Sequence, residues 1–281
     1  MIKNLPYKTN QFLLALVKLS IVLGAFYFIY DKLAYNSTLE FHAFLNKLSE
    51  NAVFSFKTVL FLFLLTLFNW FFEILKWKIL VSTVTTISFK ESMEQSLGAL
   101  TASLLTPNRI GEYGAKALYY TPSSRKKIML LNLVGNMLQM ATTILFGVIG
   151  IVLLSKTQVL PINYSNIFIG LLFVVVCFGA LYFSLEKSRF EVKGFSMKKI
   201  IRFIYYIPSD VKVKTSVLSV LRYLVFSFQF YVLLMVFGVS IDYFNAMVFI
   251  GSMYLLASVV PSIFIFDVVI KGSVAVYLFS L

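Results

Sequence analysis

The sequence predicts an all-α membrane protein, a polytopic bundle of transmembrane helices, and three observations support this. Hydrophobic residues make up 59% of the 281-residue chain and charged residues only 13%, against about 25% charged residues in soluble domains. The apolar residues are gathered into segments long enough to cross the membrane, which takes roughly 20 residues of helix. Lysine and arginine lie mostly between these segments, as they do in loops that face the cytoplasm. Residues 1–281 are therefore interpreted as one integral membrane domain.

The apolar segments are of two kinds. Two of them, residues 91–120 and 244–281, are broken at Pro107 and Pro261, and each half is too short for a comfortable crossing. Helical hairpins that enter the membrane and return are the predicted structure of both. The uninterrupted segments, each predicted to be one transmembrane helix, are residues 12–30, 53–75, 128–155, 163–184 and 216–240. The first of these lacks the small-residue cleavage site of a secretory signal, so a retained helix is predicted.

The basic residues predict the orientation. They are concentrated before the first segment, after the second, after residues 91–120 and within residues 185–214, whereas the opposite loops hold only Lys32, Lys47 and Lys156. This asymmetry predicts a multi-pass protein of the cytoplasmic (inner) membrane with its N-terminus in the cytoplasm. Because basic loops flank residues 91–120 at both ends, the first hairpin begins and ends on the cytoplasmic side. The second then enters from the opposite side.

A charged block at residues 106–116, between two apolar stretches, is the predicted functional centre. A proline and two glycines break the helix there, and the charged side chains must find partners, water or substrate rather than lipid. Exposed amides at a helix N-terminus and a nearby arginine suit an anionic group such as a lipid phosphate. Arg109 is the predicted contact. Glu112 is predicted to hold Arg109 or Lys116 in place, or to carry a proton if it is buried; an ion pair that only stabilises the hairpin is the alternative. The predicted substrate-binding residues of the block are Thr106, Pro107, Arg109, Gly111, Glu112 and Lys116.

The pattern around Pro107 recurs around Pro261. In both places a small residue, a serine and two aliphatic residues precede the proline, with one residue gapped on each side of it. An acid and a base four residues apart follow, which places them on one helix face. These pairs are Glu112 with Lys116 and Asp267 with Lys271. The recurrence predicts an inverted repeat, with halves 1–155 and 156–281 and a substrate site near the membrane midplane. The alternative is that each proline merely kinks a packed helix.

A polar stripe runs along the segment 128–155. Its side chains are spaced four, three and four residues apart and therefore share one helix face, which contacts protein or water rather than acyl chains. The stripe is predicted to line the cavity into which the first hairpin dips, and hydrogen bonding between helices is the alternative. It consists of Asn132, Asn136, Gln139 and Thr143. The further predicted substrate contacts are Asn132, Asn136, Gln139, Asp267 and Lys271.

The remaining charged and aromatic residues are assigned to interfaces. The basic loop 185–214 is predicted to contact anionic lipid headgroups, and its apolar residues around Phe203 predict an amphipathic surface helix. Glu73 and Arg222 lie near predicted interfaces and are assigned structural roles, because both side chains can snorkel. The predicted interfacial anchors are Trp70, Trp77, Tyr119 and Tyr120.

The residue inventory argues against several functional classes. A net charge of +13 would suggest nucleic acid in a soluble chain, but here the basic residues lie in loops, so no nucleic-acid partner is predicted. The single cysteine, Cys177, lies in an apolar run and His42 is the only histidine. These two facts argue against thiolate and zinc sites and against Ser/His or Cys/His catalysis. No glycine-rich phosphate loop is present, and no cofactor, metal ion or catalytic residue is predicted.

The chain resembles the lysylphosphatidylglycerol synthase transmembrane-region family, a family of flippase-like membrane proteins. The resemblance rests on residues 105–112, which match the pattern Thr-Pro-x-Arg-x-Gly-Glu, and on Lys116-Ala-Leu118, and it covers most of the chain. It implies movement of an aminoacylated phospholipid across the cytoplasmic membrane. No soluble synthase domain is present, so aminoacyl transfer is not implied. Pro261 is followed by Ser-Ile-Phe-Ile-Phe-Asp267 where the family has glycines and a glutamate, and the apolar end at Leu281 predicts a truncated C-terminus.

These observations predict a flippase-like protein. It would bind an anionic phospholipid or lipid-linked substrate between two opposed hairpins and move it by alternating access of the two halves. A membrane-embedded transferase acting on a lipid-linked substrate is the less favoured enzyme alternative. It would need clustered carboxylates, and the 12 acidic residues are mostly scattered in loops. A third possibility is a non-transporting assembly partner in the membrane.

Overall fold

The computed structural model describes residues 54–104, 106, 109–156, 191–192 and 195–259. In these ranges, the regular structure other than helices is one pair of short antiparallel strands, β1 (Glu191–Val192) and β2 (Phe195–Ser196). The helices, in chain order, are α1 (Phe56–Val81), α2 (Phe89–Leu104), α3 (Ile110–Leu118), α4 (Pro122–Lys156), α5 (Met197–Tyr206), α6 (Ser209–Val236) and α7 (Tyr243–Val259). The predicted helical class is confirmed for the described part of the chain.

Three helices, α1, α4 and α6, are long and apolar enough to cross a membrane, with mean hydropathies of 2.0, 2.2 and 1.8 over their most apolar windows. They match the predicted segments 53–75, 128–155 and 216–240, and they confirm the prediction of a membrane protein at this level. Each extends beyond the prediction at its basic end, because lysine and arginine are good helix formers and continue the helix past the apolar run. The predicted segments 12–30 and 163–184 lie outside the described residues.

The end of α1 and the starts of α4 and α6 meet in one apolar core. Charge counting predicted that these three ends share one side of the membrane, and their meeting agrees with that prediction. α5 covers the core with Phe203 and Ile204, at the place where an amphipathic helix was predicted. The buried core side chains are Trp77, Leu80, Val81, Ile128, Leu131, Val134, Ile207 and Val211. The identity of the cytoplasmic side stays a prediction.

At its other end, α4 packs closely against α7. A Cβ atom placed on Gly147 would lie 2.3 Å from Cβ of Leu255, and one on Gly150 would lie 2.7 Å from the carbonyl oxygen of Val248. Side chains larger than glycine's hydrogen would therefore push the helices apart. Small residues that allow such close approach are typical of helix pairs in membranes.

The segment predicted to be broken forms two helices, α2 and α3, which pack side by side and run in opposite directions. At one end, a Cβ on Gly111 would lie 2.4 Å from the carbonyl oxygen of Ala102; at the other, a Cβ on Gly98 would lie 2.8 Å from the Tyr119 hydroxyl. The predicted break is therefore present. Insertion of this pair into the membrane as a re-entrant hairpin stays a prediction, and so does the inverted repeat, whose second pattern, with Pro261, lies outside the described residues.

A capping box begins α2. The Ser88 hydroxyl accepts a hydrogen bond from the Glu91 amide at 3.2 Å, and the Glu91 carboxylate accepts one from the Ser88 amide at 2.6 Å. The bonds from Ser88 hold the pKa of Glu91 below its usual range, because they stabilise the charged carboxylate. The start of α2 is thus determined locally.

Candidate functional site

The turn between α2 and α3 places Arg109 directly before α3. Its backbone is left-handed, with φ 58° and ψ 27°, a conformation that costs a non-glycine residue about 1–2 kcal/mol. Thr106 closes the turn: its hydroxyl accepts a hydrogen bond from the Gly111 amide at 2.8 Å and donates to the Ala102 carbonyl at 3.2 Å. The Arg109 side chain is 50% exposed and does not cap α3. Pro107, also predicted for this site, lies outside the described residues.

The first turns of α3 direct Glu112 and Lys116 into the protein. Their side chains are only 5% and 1% exposed, and Lys116 Nζ donates to Glu112 Oε1 at 2.8 Å. It also donates to Asn132 Oδ1 at 2.8 Å and lies 4.2 Å from the centre of the Trp77 ring, a cation–π distance. Arg109 is farther away, with its Nη2 3.6 Å from Glu112 Oε2. The ion pair expected from the spacing is therefore formed by Lys116, and Asn132 of the polar stripe joins it.

A second group of charges joins α1 to α6. Arg222 Nη1 lies 2.6 Å from Glu73 Oε2, and Arg222 Nε donates to Asn69 Oδ1 at 2.8 Å. Lys76 Nζ lies 2.6 Å from the same Glu73 oxygen. Glu73 and Arg222, which the sequence analysis assigned structural roles, pair with each other across the two helices. Pairing in this way reduces the large cost of burying each charge among apolar side chains.

Gln95 connects the base of the α2–α3 pair to α1. Its side-chain oxygen accepts hydrogen bonds from Trp77 Nε1 at 2.8 Å and from the Tyr120 hydroxyl at 2.7 Å. Burial raises the pKa of Tyr120, so the phenol stays protonated and able to donate. Trp77, predicted to be an interfacial anchor, is 1% exposed and buried within the protein.

The polar stripe of α4 faces other helices. Asn136 Nδ2 donates to the Tyr113 hydroxyl of α3 at 3.2 Å, and Gln139 Nε2 donates to the Ser219 carbonyl of α6 at 3.4 Å. Thr143 donates to the carbonyl of Gln139 in its own helix. These bonds fit the alternative interpretation, in which the stripe joins helices to one another.

An apolar groove of about 510 Å³ lies between α1 and α2. Leu97, one of its lining residues, is about two helical turns before the end of α2, and therefore roughly 10 Å along the helix from the turn that carries Arg109. The lining side chains are Leu64, Leu67, Phe68, Trp70, Phe71, Ile74, Phe89, Met93 and Leu97.

The structure brings together only part of the predicted site. Asp267 and Lys271 lie outside the described residues, and Asn136 and Gln139 lie farther along α4. The predicted residues that do meet are Thr106, Arg109, Gly111, Glu112, Lys116 and Asn132. Sequence reasoning missed the contacts of Asn69, Gln95 and Lys76. The spacing of three between Glu73 and Lys76 could have predicted their ion pair, and the presence of Arg222 in another apolar segment could have suggested a partner for Glu73. In the described ranges, no three His, Cys, Asp or Glu side chains cluster as metal ligands would.

Comparisons with known proteins name no relative: no family model matches the chain, and no curated protein or solved structure matches it. The resemblance at residues 105–118 to the lysylphosphatidylglycerol synthase transmembrane-region family therefore stays a prediction. The same holds for the lipid-translocating activity that it implies.

Proposed function

We propose that this protein binds the anionic headgroup of a phospholipid or lipid-linked substrate at the turn between α2 and α3, and helps it cross the cytoplasmic membrane. The observation that carries the proposal is the contrast between the two cations of the charged block. Lys116 is buried and held by Glu112 and Asn132, whereas the Arg109 guanidinium is half-exposed and, among the described residues, has one ion-pair contact, at 3.6 Å to Glu112. Its donors remain available for the bidentate contact that arginine makes with phosphate.

The direction of α3 supports a turn that dips into the membrane. Lys116 contacts Asn132, and Tyr113 contacts Asn136, so moving toward the N-terminus of α3 means moving along α4 away from its basic start. Arg109 lies at the far end of this path, toward the apolar middle of α4. A guanidinium at that depth is costly when it faces acyl chains, and a phosphate partner lowers that cost.

The apolar groove between α1 and α2 supports a lipid rather than a soluble anion as the ligand. Its lining is aliphatic and aromatic, with Met93 as the one thioether, and this composition suits an acyl chain. Since Leu97 lies roughly 10 Å from the end of α2, one phospholipid is long enough to place its phosphate at Arg109 and an acyl chain in the groove.

The proposed transport step uses the predicted second hairpin. Asp267 and Lys271, beyond the described residues, would carry the counterpart of the Glu112–Lys116 pair from the opposite face, and alternating access of the two halves would move the headgroup. Exposed Lys127 and Lys214 at the basic end would attract anionic lipid to the cytoplasmic surface.

Translocation of a fluorescent phosphatidylglycerol in reconstituted vesicles tests the proposal. We expect Arg109→Ala to reduce both binding and translocation by about tenfold to a hundredfold, since charge-assisted hydrogen bonds contribute about 1.5–3 kcal/mol. Arg109→Lys should keep part of the binding. Lys156→Ala, which also removes an exposed cation but lies at the opposite end of α4, is the matched control and should transport normally. Undiminished transport by Arg109→Ala would rule the proposal out.

A further inference from the structure

The buried charges around α1 do not balance. Among the described residues, the cations Lys76, Lys116 and Arg222 face two carboxylates, those of Glu73 and Glu112. Both lysines are at most 2% exposed. Within the described part of the chain, one positive charge is therefore left without a counter-charge, and burying an uncompensated charge is strongly unfavourable.

Lys76 has the weakest set of partners of these three cations. Its Nζ is 2.6 Å from Glu73 Oε2, but Arg222 Nη1 approaches the same oxygen at 2.6 Å. The Lys76 ammonium carries three N–H donors, yet it makes no hydrogen bond of acceptable geometry to any described residue. At 2% exposure, bulk water does not replace the missing acceptors.

Asn132 adds an unpartnered donor nearby. Its Oδ1 must face Lys116, since an ammonium can only donate, so the amide orientation is determined and the buried Nδ2 is left without a partner in the described part of the chain. Lys76 Cε lies 3.7 Å from a Cβ placed on Gly135, and Gly135 is three residues from Asn132. Residues three apart on a helix are neighbours, at about 5–6 Å. Lys76 of α1 thus packs against the face of α4 that carries Asn132.

We infer that a compact monovalent anion, of the chloride class, binds between α1 and α4 and accepts hydrogen bonds from Lys76 Nζ and Asn132 Nδ2. It balances the excess charge of the described buried residues, and it supplies an acceptor for Asn132 Nδ2 and a second anionic partner for Lys76, which otherwise shares Glu73 with Arg222. One anionic oxygen of a lipid phosphate offers the same chemistry, so the experiment has an arm for each source. The inference goes beyond the proposed function, because the anion holds the helices together whether or not Arg109 binds a lipid.

The test uses the full-length protein in nanodiscs of zwitterionic lipid, in chloride or in gluconate at constant ionic strength. Replacing gluconate by chloride should raise the unfolding temperature saturably, because ligands that bind only the folded state stabilise it. The chain has two tryptophans, and Trp70→Phe leaves only Trp77. Iodide that binds at the site should quench the fluorescence of Trp77 saturably. Lys76→Met should weaken the anion affinity obtained from both effects by at least about tenfold, because one charge-assisted hydrogen bond to the anion is lost. Lys78→Met, on the same helix but less buried, is the matched control and should leave them intact.

Phosphatidylglycerol added to the nanodiscs in gluconate provides the second arm. If it restores the unfolding temperature of Arg109→Ala, which lacks the proposed lipid contact at the turn, without chloride, the anionic group near Lys76 comes from a lipid phosphate. The response of Arg109→Ala to chloride should equal that of the wild type, which separates a failure of this inference from a failure of lipid binding at the turn.

A charge-replacement variant keeps the test informative if Lys76→Met does not fold. Asn132→Asp retains an acceptor for Lys116 and supplies a fixed negative charge, so we expect it to be stable in gluconate and insensitive to chloride. The inference is overturned if the wild-type unfolding temperature ignores chloride and anionic lipid alike, or if Asn132→Asp still responds to chloride. It is also overturned if Asp267→Asn acquires an anion dependence that the wild type lacks, because Asp267 would then supply the missing charge.

Discussion

Arg109 and Lys116 belong to the same short charged block, yet their surroundings are opposite. Lys116 is 1% exposed and bonded to Glu112 and Asn132, while Arg109 is 50% exposed and lies 3.6 Å from Glu112, its one ion-pair partner in the described ranges. Substitutions at the two positions should therefore separate the stability of the bundle from the binding of a ligand.

Lys116→Met should lower the free energy of unfolding by about 3–5 kcal/mol, because Glu112 is left buried without its counter-charge. Arg109→Ala should change it by less than about 1 kcal/mol, since an exposed ion pair is screened by solvent. Thermal unfolding in detergent measures both. The double variant Glu112→Gln/Lys116→Met should recover part of the loss, and a double variant no more stable than Lys116→Met would contradict this account.

The left-handed backbone of Arg109 leads to a separate prediction. Arg109→Gly should unfold at a higher temperature than Arg109→Ala, by a difference worth about 1 kcal/mol, because glycine adopts positive φ without the clash of a Cβ atom. Both variants lose the guanidinium, so both should lose lipid binding equally. Equal unfolding temperatures for the two variants would show that the turn is not strained in this way.

Spacing alone predicted the pairing of Glu112 with Lys116, because residues four apart meet on a helix. The third partner, Asn132, could not be paired from sequence, since that contact depends on how α3 lies against α4. The backbone of Arg109 was equally out of reach, because left-handed conformations are rare for arginine. Periodicity in the sequence therefore predicted contacts within one helix but not contacts between helices.

At the scale of helices, the glycines of α4 provide the sharpest test. Gly150→Ala should destabilise the protein by about 1–3 kcal/mol, the usual cost of overpacking, because its Cβ would lie 2.6 Å from Ser252 Oγ and 2.7 Å from the Val248 carbonyl oxygen. Gly114→Ala is the matched control: nothing lies within 4 Å of its Cβ position, and alanine is the better helix former by about 1 kcal/mol. The two variants should shift the unfolding temperature in opposite directions.

The end of α1 shows what element-level reasoning could not predict. Its mixture of aromatic and basic residues predicted a membrane interface, and the structure adds that Lys76 and Trp77 are buried within the protein, because α2, α3 and α4 pack over them. An amphipathic anchor and a buried polar contact have the same composition. Only the neighbouring helices distinguish them, through partners such as Gln95.

For the whole molecule, the grouping of helix ends predicts the membrane topology. In a Cys177→Ser background, an impermeant maleimide added to intact cells should label the Ser240→Cys variant, at the end away from the basic core. It should leave Lys127→Cys and Lys214→Cys unlabelled until the membrane is permeabilised. Labelling in the reverse pattern would place the N-terminus outside and overturn the orientation inferred from charge.

The outline of the molecule was predictable, because apolar length and charge asymmetry are properties of the chain itself. The three long helices and the break after α2 follow from them, within several residues at the basic ends. The network of Glu73, Lys76 and Arg222 does not, since it joins residues about 150 positions apart in sequence that meet only after the helices pack.

The length of α4 links this fold to the bilayer around it. Its 35 residues extend about 52 Å, whereas the hydrocarbon layer is about 30 Å thick and a typical tilt of about 20° shortens the projection only slightly. The basic start, residues 122–127, accounts for about 9 Å of the excess, so we expect the core around Leu80 and Ile128 to lie near the boundary between the headgroups and the acyl chains. A thicker or thinner bilayer would shift the depth of Arg109 relative to the headgroups. The thickness of the membrane should therefore affect how the proposed site binds a lipid.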